Sequence, residues 1–215
     1  MTYLYENPMP GFENAASDVA SGEYEKHHHI QPGEFVLDIG ANCGFFTDVA
    51  LKKVGSDGLV IAIEPHPQNF KMLVRSFTGV SNCIIVNGAA TNDMVSEEKM
   101  LFSVPNHTGG HSLIKSEQHV VESGFCRNID ARLLLAAFHC PRLDFLKLDA
   151  EGSELDILTN MESLISEDDP HISVECHSVE LYHKCKELLE NLRYEFLPKR
   201  EHVGLCWGIP PHQRK

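Results

Sequence analysis

The stretch VLDIGANCGFFT at residues 36–47, followed by VIAIEP at residues 60–65, decides the fold of this chain. An apolar run reaches Asp38, a glycine turn through Gly40 and Gly44 follows, and Phe45, Phe46, Val49 and Ala50 then recur at helical spacing. A second apolar run ends in Glu64. A strand, a tight turn, a helix and a second strand tipped by an acid can hold a nucleoside. The glycines let the backbone approach the ligand, and the acid can accept from both ribose hydroxyls. The spacing is not that of the dinucleotide pattern G-x-G-x-x-G, which needs a glycine where Asn42 stands. An acid at the end of the first strand, Asp38, would repel a phosphate and attract a cation. A nucleoside with a cationic amino-acid tail fits these residues, and S-adenosylmethionine is such a molecule.

Along the rest of the chain, strands alternate with helices. Strands are predicted at residues 35–39, 59–64, 83–86, 145–148 and 171–175, and a closing hairpin-like pair at 194–197 and 203–209. Helices are predicted over 42–53, 67–77, 128–138, 152–161 and 179–192, and one within 14–30 before Pro32 and Gly33. Residues 99–104 read as an extra strand in a less regular middle segment. The expected fold is therefore doubly wound α/β, with a seven-stranded, mostly parallel sheet and an antiparallel C-terminal end. Residues 1–33 are expected to form a lead-in packing on or over the active site, and residues 34–215 a single domain. Asp38, Glu64, Asn87, Asp149 and Glu175 all fall at or just beyond the carboxyl ends of separate predicted strands, where ligands of open α/β sheets bind.

The bulk numbers narrow the partners. A length of 215 residues suits one domain with helices on both faces of a sheet. A net charge of −13 disfavours nucleic acid, because an acidic protein whose 18 Lys and Arg are scattered gains little from counterion release, and it also argues against an anionic membrane surface. Seven cysteines without a C-x-x-C pair point to free thiols in a reducing compartment. No apolar run approaches bilayer length and the N-terminus carries no signal pattern, so a cytoplasmic protein is expected. Nothing in the sequence fixes the oligomeric state.

The residues then support a family resemblance. D-I-G-A-N-x-G with a downstream I-E-P resembles a class I S-adenosylmethionine-dependent methyltransferase. DFLKLDAEGSELDIL at residues 144–158 resembles the D-x-x-K-x-D-x-E-G-x-E pattern of the FkbM family of methyltransferases. NHTGGHSL at residues 106–113 and PHISVECH at residues 170–177 are weaker family-like pieces on either side. The resemblance implies methyl transfer from S-adenosyl-L-methionine, leaving S-adenosyl-L-homocysteine, to a hydroxyl on a small molecule such as a sugar or secondary metabolite. An amine acceptor and a non-catalytic cofactor-binding protein are the alternatives.

Cofactor contacts are expected from Asp38 near the methionine ammonium, from Gly40, Ala41, Asn42 and Gly44 in the turn, and from Glu64 on the ribose with Pro65 beside it. Asn87 and Ala89 should pass close to the adenine, and Asp149 should reach both cofactor and acceptor. The acceptor side is assigned to Asp149, Glu151, His111 and His177, with an acid or a histidine as a candidate base. A plainer account exists for each. Strand-end acids also cap helices, and small residues after a strand also make tight turns. Asp149, Glu151, Glu175 and His177 include enough donors for a divalent ion, but the resemblance does not require one, and no obligatory metal is expected.

Overall fold

In the computed structural model, residues 16–17, 19–91, 98–104, 111–115, 117, 121–200 and 202–211 are described. The first strand, β1 (Phe35–Ile39), is almost wholly buried, as is β2 (Leu59–Glu64). A strand buried on both faces belongs at the centre of a parallel sheet. Accordingly, β1 pairs in parallel with β2 on one side and with β8 (Phe145–Leu148) on the other. β3 (Cys83–Asn87), only half-buried, is added in parallel beyond β2 at the sheet edge. β9 (His171–Cys176) follows β8 in parallel, and β11 (Gly204–Ile209) and β10 (Glu195–Pro198) close that end antiparallel. Among the described residues the sheet has seven strands in the order β10-β11-β9-β8-β1-β2-β3. This is the doubly wound, mostly parallel α/β arrangement with the antiparallel end that the sequence predicts.

Period-two alternation divides the core. Leu37, Ile39, Ile61, Ile63, Leu146 and Leu148 face α4 (Glu154–Asn160) and α6 (Val179–Asn191) through Ile157, Leu158, Cys185 and Leu189. Val36, Val60 and Phe145 face the other way, against Phe46, Ala50 and Val54 of α1 (Phe45–Val54) and against Tyr24 and Ile30. On this second face β9 is polar, and the segment before β1 meets it with matching groups. The Ser173 hydroxyl donates to the Tyr24 carbonyl, the His171 ring stacks on His28 at 3.9 Å, and Trp207 Nε1 of β11 donates to the Glu23 carbonyl at 2.9 Å.

Several boundaries differ from the sequence expectation. Of the helix expected within 14–30, residues 16–17 and 19–20 are helical; Gly22 at φ +72° then turns the chain into a 3-10 turn at Glu23–Glu25. The extra strand, β5 (Glu98–Ser103), does not join the main sheet. It lies in a small second sheet between β6 (His111–Ser112) and β7 (Val121–Ile129), with β4 (Ala89–Ala90) on the far side of β7. β7 was not predicted. Its residues are largely exposed on both faces, with Cys126 buried, so it lacks the alternation that marks a half-buried strand. α2 (Pro67–Phe77) lies as predicted. The helix predicted over 128–138 is α3 (Ala131–Ala137), capped by the Asp130 carboxylate, which accepts from the Arg132 and Leu133 amides. α5 (Glu162–Asp168) follows α4 as a separate helix. No helix among the described residues is long and apolar enough to cross a membrane.

Candidate functional site

From β1 the chain continues to β2 and β3 on one side and later returns as β8 and β9 on the other, so the strand order reverses at β1. A crevice at the carboxyl edge is expected at such a switch point. A cleft of about 220 Å³ lies there, lined from the ends of β1, β2, β8 and β9, from β4 and β6, and from Tyr24 of the lead-in.

The turn after β1 is built by its neighbours as much as by its own sequence. Gly40 (φ +74°) passes so close to the next loop that a Cβ there would lie 1.8 Å from the Asp149 carbonyl oxygen. At Gly44 (φ +96°) a Cβ would lie 2.6 Å from the Phe77 ring and 2.7 Å from Leu73. The two family-like segments thus touch at Gly40. Asn42 also has positive φ (+52°); its side-chain oxygen accepts from the Cys43 amide at 2.6 Å, and its own amide donates to Glu64 Oε2 at 2.8 Å.

Glu64 is buried at the tip of β2. Its Oε1 accepts from the His66 amide at 2.8 Å and from Asn69 Nδ2 at 3.4 Å. Burial pushes its carboxyl up to about 7, while the His66 and Asn42 amides, Lys147 and Asn69 pull the other way. A carboxylate has about four lone-pair sites, so three protein donors leave capacity for a ligand hydroxyl. Gly88, Ala89 and Ala90 line the same end with small side chains.

The opposite end is acidic. Asp149, at the exit of β8, and Glu151, in the next turn with φ +48°, face His177, just beyond β9. His177 Nε2 lies 3.5 Å from Asp149 Oδ1 and 3.5 Å from Glu151 Oε2. Its Nδ1 is 2.9 Å from Glu154 Oε1. Glu154 is completely buried and also accepts from the amides of Ala150 and Gly152, each at 3.1 Å. Burial alone would lower the His177 pKa, but the hydrogen bond to Glu154 and the charges of Asp149, Glu154 and Glu151 raise it to about 10. Burial pushes Glu151 up to about 7, opposed by His177 and reinforced by Asp149, Glu154 and Glu175. His111 comes to the cleft on β6, which is fastened by the Ser112 hydroxyl donating to the Glu151 carbonyl at 2.5 Å. The His111 ring stacks on His66 at 3.7 Å, and its Nδ1 is 2.7 Å from Ser103 Oγ.

Of the residues picked from sequence, Gly40, Ala41, Asn42, Glu64, Pro65, Ala89, Asp149, Glu151, His111 and His177 line this one cleft. Three others lie elsewhere. Asp38 is fully buried beneath the turn, where Oδ2 accepts from Thr47 Oγ1 at 2.7 Å and Oδ1 pairs with Lys147 Nζ at 3.3 Å. Gly44 packs on α2. The Asn87 side chain donates to the Glu64 carbonyl at 2.9 Å and so braces the strand tips instead of facing the cleft. Of the stretch 106–113, residues 106–110 lie outside the described residues. His27 and His28 pack on Trp207 and His171.

The sequence reading missed Tyr24, whose hydroxyl donates to Glu175 Oε2 at 3.4 Å in the cleft. No local pattern marks it, because its partner is supplied by β9. Lys147 was legible as the lysine of the second motif, but its role was not. Buried beside two carboxylates, it donates to the Gly40 carbonyl at 2.6 Å and ties β8 to the turn after β1. Burial alone would lower its pKa; Asp38 and Asp149 raise it instead.

The sequence and this geometry agree with the family comparison, in which the FkbM methyltransferase domain matches residues 38–201. This chain belongs to the FkbM methyltransferase family. Among solved structures, methyltransferase FkbM from Methylobacillus flagellatus KT is similar at a TM-score of 0.55 and 16% identity, over 85% of this chain and 45% of that one. The fibrillarin of Aeropyrum pernix, solved with S-adenosyl-L-methionine bound, is similar at a TM-score of 0.51 and 12% identity, over 90% and 74% of the two chains. At those identities the likeness is one of fold, the Rossmann-like fold of class I methyltransferases. The ribosomal RNA large subunit methyltransferase E of Methanothermobacter thermautotrophicus is 29% identical over 134 residues, 55% of this chain and 61% of that protein. A protein-L-isoaspartate O-methyltransferase of Archaeoglobus fulgidus is 33% identical over 27% of this chain and 28% of its own. This FkbM-family chain therefore spans less than two thirds of the curated relatives it matches.

Proposed function

We propose that this FkbM-family protein is an S-adenosylmethionine-dependent methyltransferase acting on a hydroxyl of a small molecule. The observation that carries this reading is a single cleft with two chemically different ends. One end has a glycine turn, an acid and small side chains; the other has two carboxylates and a histidine.

The residues at the first end suit the cofactor. The turn 40–42 follows its amino-acid portion, Glu64 accepts from a ribose hydroxyl, and Gly88, Ala89 and Ala90 leave room for a flat base. Asp38 acts indirectly, because it holds Lys147 and hence the Gly40 carbonyl in place. Bound there, S-adenosylmethionine supplies an electrophilic methyl group. At the other end Asp149, Glu151 and His177 hold the acceptor hydroxyl, and a carboxylate takes its proton as the oxygen bonds to the methyl carbon and the carbon–sulfur bond breaks. Most of the rate advantage then comes from alignment of the two reactants.

An amine acceptor would need no base, and the observation against it is the number of acids gathered at this end. The rRNA methyltransferase relative raises an RNA acceptor as another reading. The net charge of −13 works against a polyanionic acceptor, and the cleft end that would meet it carries Asp149, Glu151 and Glu175. The test is incubation with methyl-labelled cofactor and matched panels of hydroxylated compounds, amines and RNA. Label recovered as a methyl ether supports the reading. Label confined to amines or to RNA overturns it.

A further inference from the structure

We propose that Asp149, Glu151 and His177 bind a divalent first-row cation, with manganese(II) as the probe, and that the cation holds the acceptor oxygen. This deepens the acceptor-side assignment above, rests on it, and departs from the sequence expectation of no obligatory metal.

The spacing is the first reason. One donor atom from each of the three residues lies within 4.8 Å of the other two. The His177 Nε2 distances to Asp149 Oδ1 and Glu151 Oε2 are both 3.5 Å. That is too long for a well-formed hydrogen bond. It is close to the separation of two ligands that each lie about 2.1 Å from a shared ion, which is about 3.0 to 3.4 Å for bond angles from octahedral to tetrahedral. The two histidine–carboxylate separations are thus close to those of ligands around a shared centre.

The orientation of the histidine is the second reason, and it comes from outside the triad. Glu154 Oε1 engages Nδ1 at 2.9 Å, and Glu154 is itself pinned by the Ala150 and Gly152 amides. A metal-bound histidine almost always gives its other ring nitrogen to such an oxygen, which fixes the tautomer and aims the free lone pair at the ion. Held this way, Nε2 faces the carboxylate oxygens of Asp149 and Glu151. A cation bound between them takes the place of the proton that Nε2 otherwise carries.

The setting is the third reason. The triad lines the cleft, and three protein ligands leave coordination positions for water and for an acceptor hydroxyl. A donor set of two carboxylates and one imidazole suits manganese, iron or zinc better than a thiolate-seeking ion. In the proposed role the cation polarises the bound hydroxyl so that its proton leaves to water or to Glu175, while the oxygen keeps the electron pair that bonds to carbon.

The experiment uses full-length protein stripped of metal with a chelator. Free manganese(II) is followed by its paramagnetic resonance signal, and S-adenosylhomocysteine binding is measured by calorimetry on the same samples. We expect one equivalent of manganese to bind saturably to the wild type. His177→Ala and Asp149→Asn should each weaken it at least about tenfold, and Glu154→Gln should weaken it by about 10- to 100-fold, as expected when the partner of a ligating histidine is lost. Asp149→Asn is close in shape to the original and guards against a variant that fails to fold. No saturation in the wild type, or equal binding in both ligand variants, overturns the cation site. If S-adenosylhomocysteine still binds in that case, the methyltransferase reading stands and only the metal is lost. Absence of S-adenosylhomocysteine binding strikes the underlying reading instead.

Discussion

Replacing Glu64 with Gln should separate cofactor binding from stability. Burial raises the Glu64 carboxyl from the ordinary 4.5 to about 7. Because the folded-state value is raised, the folded protein keeps a proton that the unfolded chain has lost between about pH 4.5 and 7. Stability from this group therefore falls as pH rises through that window and is flat above it. The shift corresponds to about 3 kcal/mol of order-of-magnitude destabilisation once Glu64 is ionised. Glu64→Gln removes that cost. It also turns one acceptor oxygen into a donor that must face the Asn42 amide or the His66 amide, leaving a buried donor unmet at about 1–3 kcal/mol.

The two effects are similar and opposite, so at pH 8 the variant should unfold within about 2 kcal/mol of the wild type. Its stability should decline less from about pH 4.5 to 7 than the wild type's, since Glu151, also raised to about 7, still titrates there with this sign. Affinity should behave differently. Hydrogen bonds to a charged acceptor are each worth about 1.5–3 kcal/mol, so S-adenosylhomocysteine should bind at least about tenfold more weakly. Calorimetric titration and urea unfolding at several pH values test both parts. Unchanged S-adenosylhomocysteine affinity in Glu64→Gln would refute the ribose role. A loss of stability well beyond about 3 kcal/mol at pH 8 would refute the account of its burial.

Other substitutions test how the site is held. Gly40→Ala should destabilise by about 3 kcal/mol or more and abolish S-adenosylhomocysteine binding, because its Cβ would lie 1.8 Å from the Asp149 carbonyl at a positive φ. Thermal unfolding followed by circular dichroism reads this. Lys147→Met should cost about 3–5 kcal/mol by leaving Asp38 buried without its cation, and pairing it with Asp38→Asn should recover part of the loss in urea unfolding. Tyr24→Phe removes a long hydrogen bond to Glu175 and should change stability by less than about 1 kcal/mol, while raising the acceptor KM and leaving S-adenosylhomocysteine affinity unchanged. Steady-state kinetics with an acceptor found in the labelled screen, beside calorimetry, measure both.

The parts of this protein that were legible in its sequence are those specified by neighbours along the chain. The run to Asp38, the turn Gly40–Gly44 and the run to Glu64 needed only period, glycine and a strand-end acid to be read, and β1, α1 and β2 lie there. The second motif likewise placed Asp149 and Glu151 at the exit of β8. Where local pattern was absent, reading stopped. β7 alternates too weakly to be seen, and without it the small sheet that carries His111 to the cleft was invisible.

Asp38 shows the other limit. Its position at the strand end was correct, but which partner takes its carboxylate depends on Lys147, which is far away in sequence and adjacent only once β1 and β8 pair. The close approach of the Asp149 loop at Gly40, and the turning of His177 by buried Glu154, depend on distant parts of the chain in the same way. Local spacing dictates strands, turns and helices, so the doubly wound fold and the acids and glycines available to a site were set along the chain. Which of those groups face the cleft and which brace it follows instead from hydrogen bonds and ion pairs between strands brought together from distant parts of the chain.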